Sequence, residues 1–132
     1  MPNEKSPAKL ALLHHIKTLC DANREIMLVS LCTTDGFPIS CFSVSELSNQ
    51  ADKFAAMSST LSSLSDSSAN QMKQGQCDIT IVEATSGNIL FVKTDYIGKP
   101  CVLTLVAHNK MALAEARYKT KKLIGEISAI TE

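Results

Sequence analysis

Three histidines, five cysteines and scattered carboxylates are the groups in this 132-residue chain that could bind a metal or attack a substrate, and their spacing argues against both. His14 and His15 are adjacent, so on a regular helix their side chains diverge by about 100° and cannot share one ion in the i, i+4 manner of helical metal sites. Cys101 and His108 are the one pair that could act as nucleophile and base. In a single strand seven residues apart they would be separated by about 20 Å, too far to pass a proton. Glu83 and Asp95 flank a predicted hairpin, where polar residues at strand ends are ordinarily solvated rather than paired for acid–base work. Cys20, Cys32, Cys41, Cys77 and Cys101 form an odd set without a C-x-x-C pair; they read as free thiols, filling apolar runs as small hydrophobes in a reducing compartment. The expectation is of no catalytic residues, no metal and no cofactor.

The remaining composition narrows the function further. Neither G-x-x-x-x-G-K-[ST] nor G-x-G-x-x-G occurs, so the common loops that let backbone amides approach a phosphate are missing. Thirteen basic and thirteen acidic residues cancel, with a net −2 over residues 1–66 and +2 over 67–132, which gives no electrostatic case for duplex nucleic acid or an anionic membrane. No tryptophan, two tyrosines and four phenylalanines leave few platforms for stacking bases. The first residues lack a charged-then-apolar leader pattern and no apolar run reaches spanning length, so a cytoplasmic protein with no membrane insertion is expected. What is left is a domain that holds other proteins.

The elements that must build such a domain are legible from periodicity. Residues 1–6 read as a disordered tail and 7–132 as one domain. Ser6-Pro7 supplies an N-cap and a proline at the first helical position, followed by an apolar stripe through Leu12, Ile16 and Leu19, with Leu13 and Cys20 beside it. Ile26 to Cys32 reads as a strand, Thr34-Asp35-Gly36 as a tight turn, and Pro38 to Val44 as the returning edge strand. A helix is predicted from Ala51 to Lys73 with Phe54, Met57, Leu61, Leu64 and Met72 as its buried stripe, although serine crowds the positions between them. Those small residues suggest that something approaches the helix closely on a second face. Ile79–Val82, Ile89–Val92 and Val102–Val106, joined by glycine-bearing turns, form an antiparallel meander. A last helix is predicted from an Asn109 cap to Ile130, burying Leu113, Ala116, Leu123, Ile127 and Ile130 and exposing Arg117, Lys119, Lys121 and Lys122. The order α-β-β-α-β-β-β-α gives an α+β domain with a five-stranded antiparallel sheet and three helices.

This order, with the stretches Phe54–Leu64, Ile81–Ala84, Gly87–Val92 and Val102–Ala107, resembles the roadblock/dynein light-chain family. The resemblance implies a profilin-like roadblock domain. It implies a non-enzymatic homodimer in which the middle helix and third strand meet their copies, and a regulator or scaffold for a Ras-like small GTPase or an associated signalling or motility complex. On that reading Ala55, Ala56, Ser59, Ser62 and Ser63 let two helices approach, and Cys77, Ile79, Thr80 and Ile81 form an edge that needs covering. The two arginines, Arg24 and Arg117, mark out no arginine finger. Leu28 to Ile39 is also similar to the opening hairpin of flavin-binding split barrels, which leaves a flavin protein as an alternative, beside a purely structural dimerisation subunit.

Overall fold

The computed structural model describes residues 6–132; of the tail expected at 1–6, residues 1–5 lie outside the described residues. Helix α1, Pro7–Ala22, starts where Ser6 accepts a hydrogen bond from the Lys9 amide, as an N-cap serine should. Strands β1 (Ile26–Thr33) and β2 (Pro38–Ser43) follow, then a single 3₁₀ turn at Ser45–Leu47 and helix α2 (Ala51–Gln71). The meander β3 (Thr80–Glu83), β4 (Gly87–Tyr96) and β5 (Lys99–His108) leads into helix α3 (Leu113–Ser128). The chain is thus an α+β domain with the expected order of elements.

One five-stranded antiparallel sheet, in the order β2-β1-β5-β4-β3, lies between two helical layers. β5 is the last strand made and sits at the centre. The sheet is open, with β2 and β3 as its edges, so the Leu28–Ile39 hairpin closes no barrel. Helices α1 and α3 share one face, burying Ala8, Leu12 and Ile16 with Ala116, Leu123 and Ile127 against Val29, Leu31, Leu90, Leu103 and Leu105. Because side chains alternate along each strand, the other face belongs to Leu28, Ser30, Cys32, Val102, Thr104, Ile89 and Phe91, over which α2 lies.

Several boundaries differ from the sequence reading, and at two places the reason is local. The last helix starts at Leu113 rather than Asn109, because Asn109 is tied to the β3–β4 turn: its amide N–H donates to Ser86 O and its side chain to Thr85 O. β4 and β5 run much longer than their apolar centres. Ile97 and Gly98 both take positive φ, 52° and 72°, and so close a tight two-residue turn that lets the pair zip out to Tyr96 and Lys99.

Candidate functional site

Helix α2 is seated opposite to the expected way. Its sheet-facing side is the small one: Ala55, Ser58 and Ser62 are buried, whereas Met57 is 50% exposed, Leu64 60% and Met72 73%. Phe54 and Leu61 are half-buried on its flank. The correction has a physical cause. The patch of sheet nearest its buried side includes Ser30, Cys32 and Thr104 beside Val102 and Phe91, and a helix can lie close to that patch only through small residues. Ser58 Oγ and Thr104 Oγ1 hydrogen-bond at 2.6 Å, and the Cys32 thiol donates to Ala55 O at 3.6 Å. Among the described residues the Ser30 hydroxyl, 1% exposed, finds no oxygen or nitrogen partner and has only the weakly bonding Cys41 sulfur across the β1–β2 pair.

The second close approach expected of the small residues is made by the chain itself. Gly36, at φ +94°, brings the β1–β2 turn so near α2 that a Cβ there would lie 3.2 Å from Ser59 Oγ and 3.7 Å from Ala56 Cα. Of the helix positions expected to meet a copy, Ala55 and Ser62 are therefore occupied by the chain's own sheet, Ala56 and Ser59 border the Gly36 turn, and Ser63 is exposed. The residues that sequence reasoning missed are Met57 and Leu64, large apolar groups facing out. Their helical spacing was visible; which face of the helix looked at the sheet was not.

Beside α2 runs an apolar groove of about 170 Å³, floored by Leu28, Ile89, Phe91 and Val106 and walled by Leu47, Phe54 and Met57. Leu28, Val106, Ile89 and Val82 are consecutive cross-strand partners, so this floor continues as one row to Val82, 38% exposed on the β3 edge. β3 itself starts at Thr80; Cys77 and Ile79, expected within it, precede it. The Ala84 amide donates to Gly87 O, so by alternation Thr80 and Val82 point their backbone groups at β4 while Ile81 and Glu83 point theirs outward.

Two carboxylates clamp the segment that delivers β3. Asp66 of α2 accepts the Cys77 amide at 2.9 Å and Lys93 Nζ at 2.6 Å, and the Lys93 hydrogen bond, then that amide, holds its carboxyl below the usual range. Asp78 accepts from Lys121 and, at 3.3 Å, from Arg117; the Lys121 hydrogen bond chiefly lowers its pKa. The basic residues of α3 are thus partly engaged within the chain.

The groups considered for chemistry stay apart. Glu83 pairs with Asn88 and Asp95 with Pro100, at opposite ends of β4. Burial pushes Cys20 and Cys32 up to about 11 and raises Cys101, so these thiols are poor nucleophiles. His14 and His15 do line one cleft between α1 and α3, with ring centroids 5.9 Å apart, but His15 faces Glu126 at 3.7 Å. Among the described residues no three His, Cys, Asp or Glu side chains are grouped to hold a metal, and no helix is long and apolar enough to cross a membrane.

A scan of protein-family models and a search of curated proteins both find no match to this chain. Solved structures do match. MglB of Myxococcus xanthus superposes with a TM-score of 0.79 at 14% identity, over 96% of this chain and 91% of that one. The gliding protein MglB of Thermus thermophilus gives 0.79 at 11% identity, over 97% and 93%. A Roadblock/LC7 domain from Streptomyces avermitilis gives 0.71 at 21% identity, over 84% and 89%. Likeness at these TM-scores over most of both chains gives this chain the roadblock/LC7 fold.

Proposed function

We propose that the protein is a non-enzymatic, homodimeric regulator or scaffold for a Ras-like small GTPase or a motility or signalling complex built around one. The observation that carries the dimer is the adjacency of two unsatisfied surfaces. The outward Met57 and Leu64 of α2 and the apolar row ending at Val82 lie next to a strand edge whose Ile81 and Glu83 backbone groups point into solvent. A second copy related by a twofold axis covers both at once, extending the sheet while burying the apolar groups of both helices. The interface assigned here keeps Ala56, Ser59, Ser63, Thr80 and Ile81 from the sequence reading and adds Met57, Leu64 and Val82.

The GTPase partner rests on the resemblance of the sequence to the roadblock family and on the similarity in fold to MglB, named as a gliding protein.

Light scattering tests the dimer and calorimetry the partner. The wild type is expected to have twice the chain mass. Met57→Lys with Leu64→Lys, and separately Glu83→Pro, are expected to give monomers; Glu83→Pro removes an outward N–H without touching the β3–β4 ladder. Titration with the source organism's Ras-like GTPases, loaded with GTP or GDP, is expected to show binding that depends on the nucleotide. A monomeric wild type overturns the dimer, and no heat with any such GTPase overturns the partner.

A further inference from the structure

The other edge of the sheet, β2, is guarded over only half its length. The Val44 amide donates to Met27 O, so Val44, Phe42 and Ser40 turn their backbone groups to β1, and Ser43, Cys41 and Ile39 turn theirs outward. At the Ile39 end the edge is blocked three ways. Pro38 opens the strand, Ile39 is the extra residue of a bulge opposite Leu31 and Cys32, and Lys9 Nζ donates to Ile39 O. Among the described residues no such device protects Cys41 and Ser43, and no charged side chain lies anywhere from Phe37 to Val44.

Beside this open half is a cleft of about 550 Å³, lined by Cys20, Asp21, Arg24, Ile26, Phe42 and Val44. Its floor is apolar, with Phe42 36% exposed. Its rim carries one unbalanced charge: Asp21 is paired with Lys17 at 3.1 Å, whereas Arg24 is exposed and has no ion pair among the described residues. Main-chain groups that can pair with an added strand, together with a neighbouring pocket for one of its side chains, are the two parts of recognition by strand addition.

We infer that the Cys41–Val44 edge binds an extended segment of another protein as a sixth strand. That segment places a large apolar side chain in the Phe42 cleft and a carboxylate two residues away against Arg24. This surface lies at the far edge of the sheet from β3 and is independent of the proposed dimer.

The test uses a capped hexapeptide of valine and threonine, with phenylalanine and glutamate two residues apart so that both fall on one face. Its binding is followed by amide NMR. On titration to millimolar peptide, the Cys41 and Ser43 amides are expected to shift saturably and to exchange more slowly with solvent. Ser43→Pro removes an outward donor and leaves the β1–β2 ladder whole, so it is expected to keep the wild-type fold by circular dichroism and to lose the binding. Arg24→Glu is expected to weaken it about tenfold, the loss of one charge-assisted contact, with valine in place of the peptide's glutamate removing that difference. Unshifted Cys41 and Ser43 amides, undiminished binding by a folded Ser43→Pro, or amides already protected in the free protein by another copy or by the first residues of the chain would each overturn the inference.

Discussion

Three hydroxyls meet beneath α2, and their number is odd. Ser58 and Thr104 share one hydrogen bond of 2.6 Å, and Ser30, the direct cross-strand partner of Thr104, is left with only the weak Cys41 sulfur, close to an orphan. Cross-strand neighbours have Cβ atoms about 5 Å apart, so a turn of Ser30 about χ1 brings it within reach of Thr104 once Ser58 is gone. Counting bonds and orphans then gives the energies. Ser30→Ala keeps the bond and removes the orphan, a gain of about 1 kcal/mol. Ser58→Ala exchanges the Ser58–Thr104 bond for a Ser30–Thr104 bond and also leaves no orphan; with alanine's better helix propensity the change is within about 0.5 kcal/mol of zero. The double variant has no bond and strands Thr104, 4% exposed, at a cost of about 2 kcal/mol relative to Ser30→Ala alone. The expected coupling between two serines that share no hydrogen bond is therefore about 2 kcal/mol. Urea unfolding of the four proteins followed by circular dichroism, all at one concentration so that self-association does not differ, measures it. Additivity within about 0.5 kcal/mol would refute the shared-partner account.

Gly87→Ala would place a Cβ 2.4 Å from Ala107 O on the neighbouring central strand; a loss of about 1–3 kcal/mol is expected, read as a fall in Tm, while Gly125→Ala, with nothing within 4 Å on α3, should gain about 0.5–1 kcal/mol. Asp66 and Asp78 have depressed folded-state pKa values, so their contribution is full above the ordinary carboxylate pKa and is lost as pH falls through the folded values; Asp66→Asn or Asp78→Asn should flatten the acid limb of the stability–pH curve below about pH 4 and leave its neutral part level. Ellman's reagent at about pH 8 should label Cys41 and Cys77 first and reach the buried Cys20, Cys32 and Cys101 only on unfolding; fast labelling of Cys32 without denaturant would contradict its burial under α2.

Much of the architecture was legible in the sequence because each element announces itself locally. Ser6-Pro7, Asp35-Gly36 and Ile97-Gly98 fix their ends, and the stripes of α1 and α3 bury the residues that periodicity selects, Leu12 and Ile16 on one and Ala116, Leu123 and Ile127 on the other. α2 was misread because hydrophobic period reveals a stripe but not what faces it. The rule that large apolar residues point inward fails where the sheet beneath offers Ser30, Cys32 and Thr104, and a close-lying helix must meet them with Ala55, Ser58 and Ser62. The clamps at Asp66 and Asp78 were hidden for a different reason. Their partners Lys93, Arg117 and Lys121 come from other elements, and only the folded chain brings them together.

Placing the final strand in the middle of the sheet also governs how the protein is born. As the chain leaves the ribosome, β1 can pair only with β2, and its other side, together with Val29 and Leu31, waits for β5. The β3–β4–β5 meander can form by itself from neighbouring segments, so the late step is its docking as a unit against a hairpin made much earlier. Until then the nascent amino-terminal half displays an unpaired, strongly apolar strand. A ribosome-bound chain halted before Lys99 should therefore bind holdase chaperones, and one released after α3 should not.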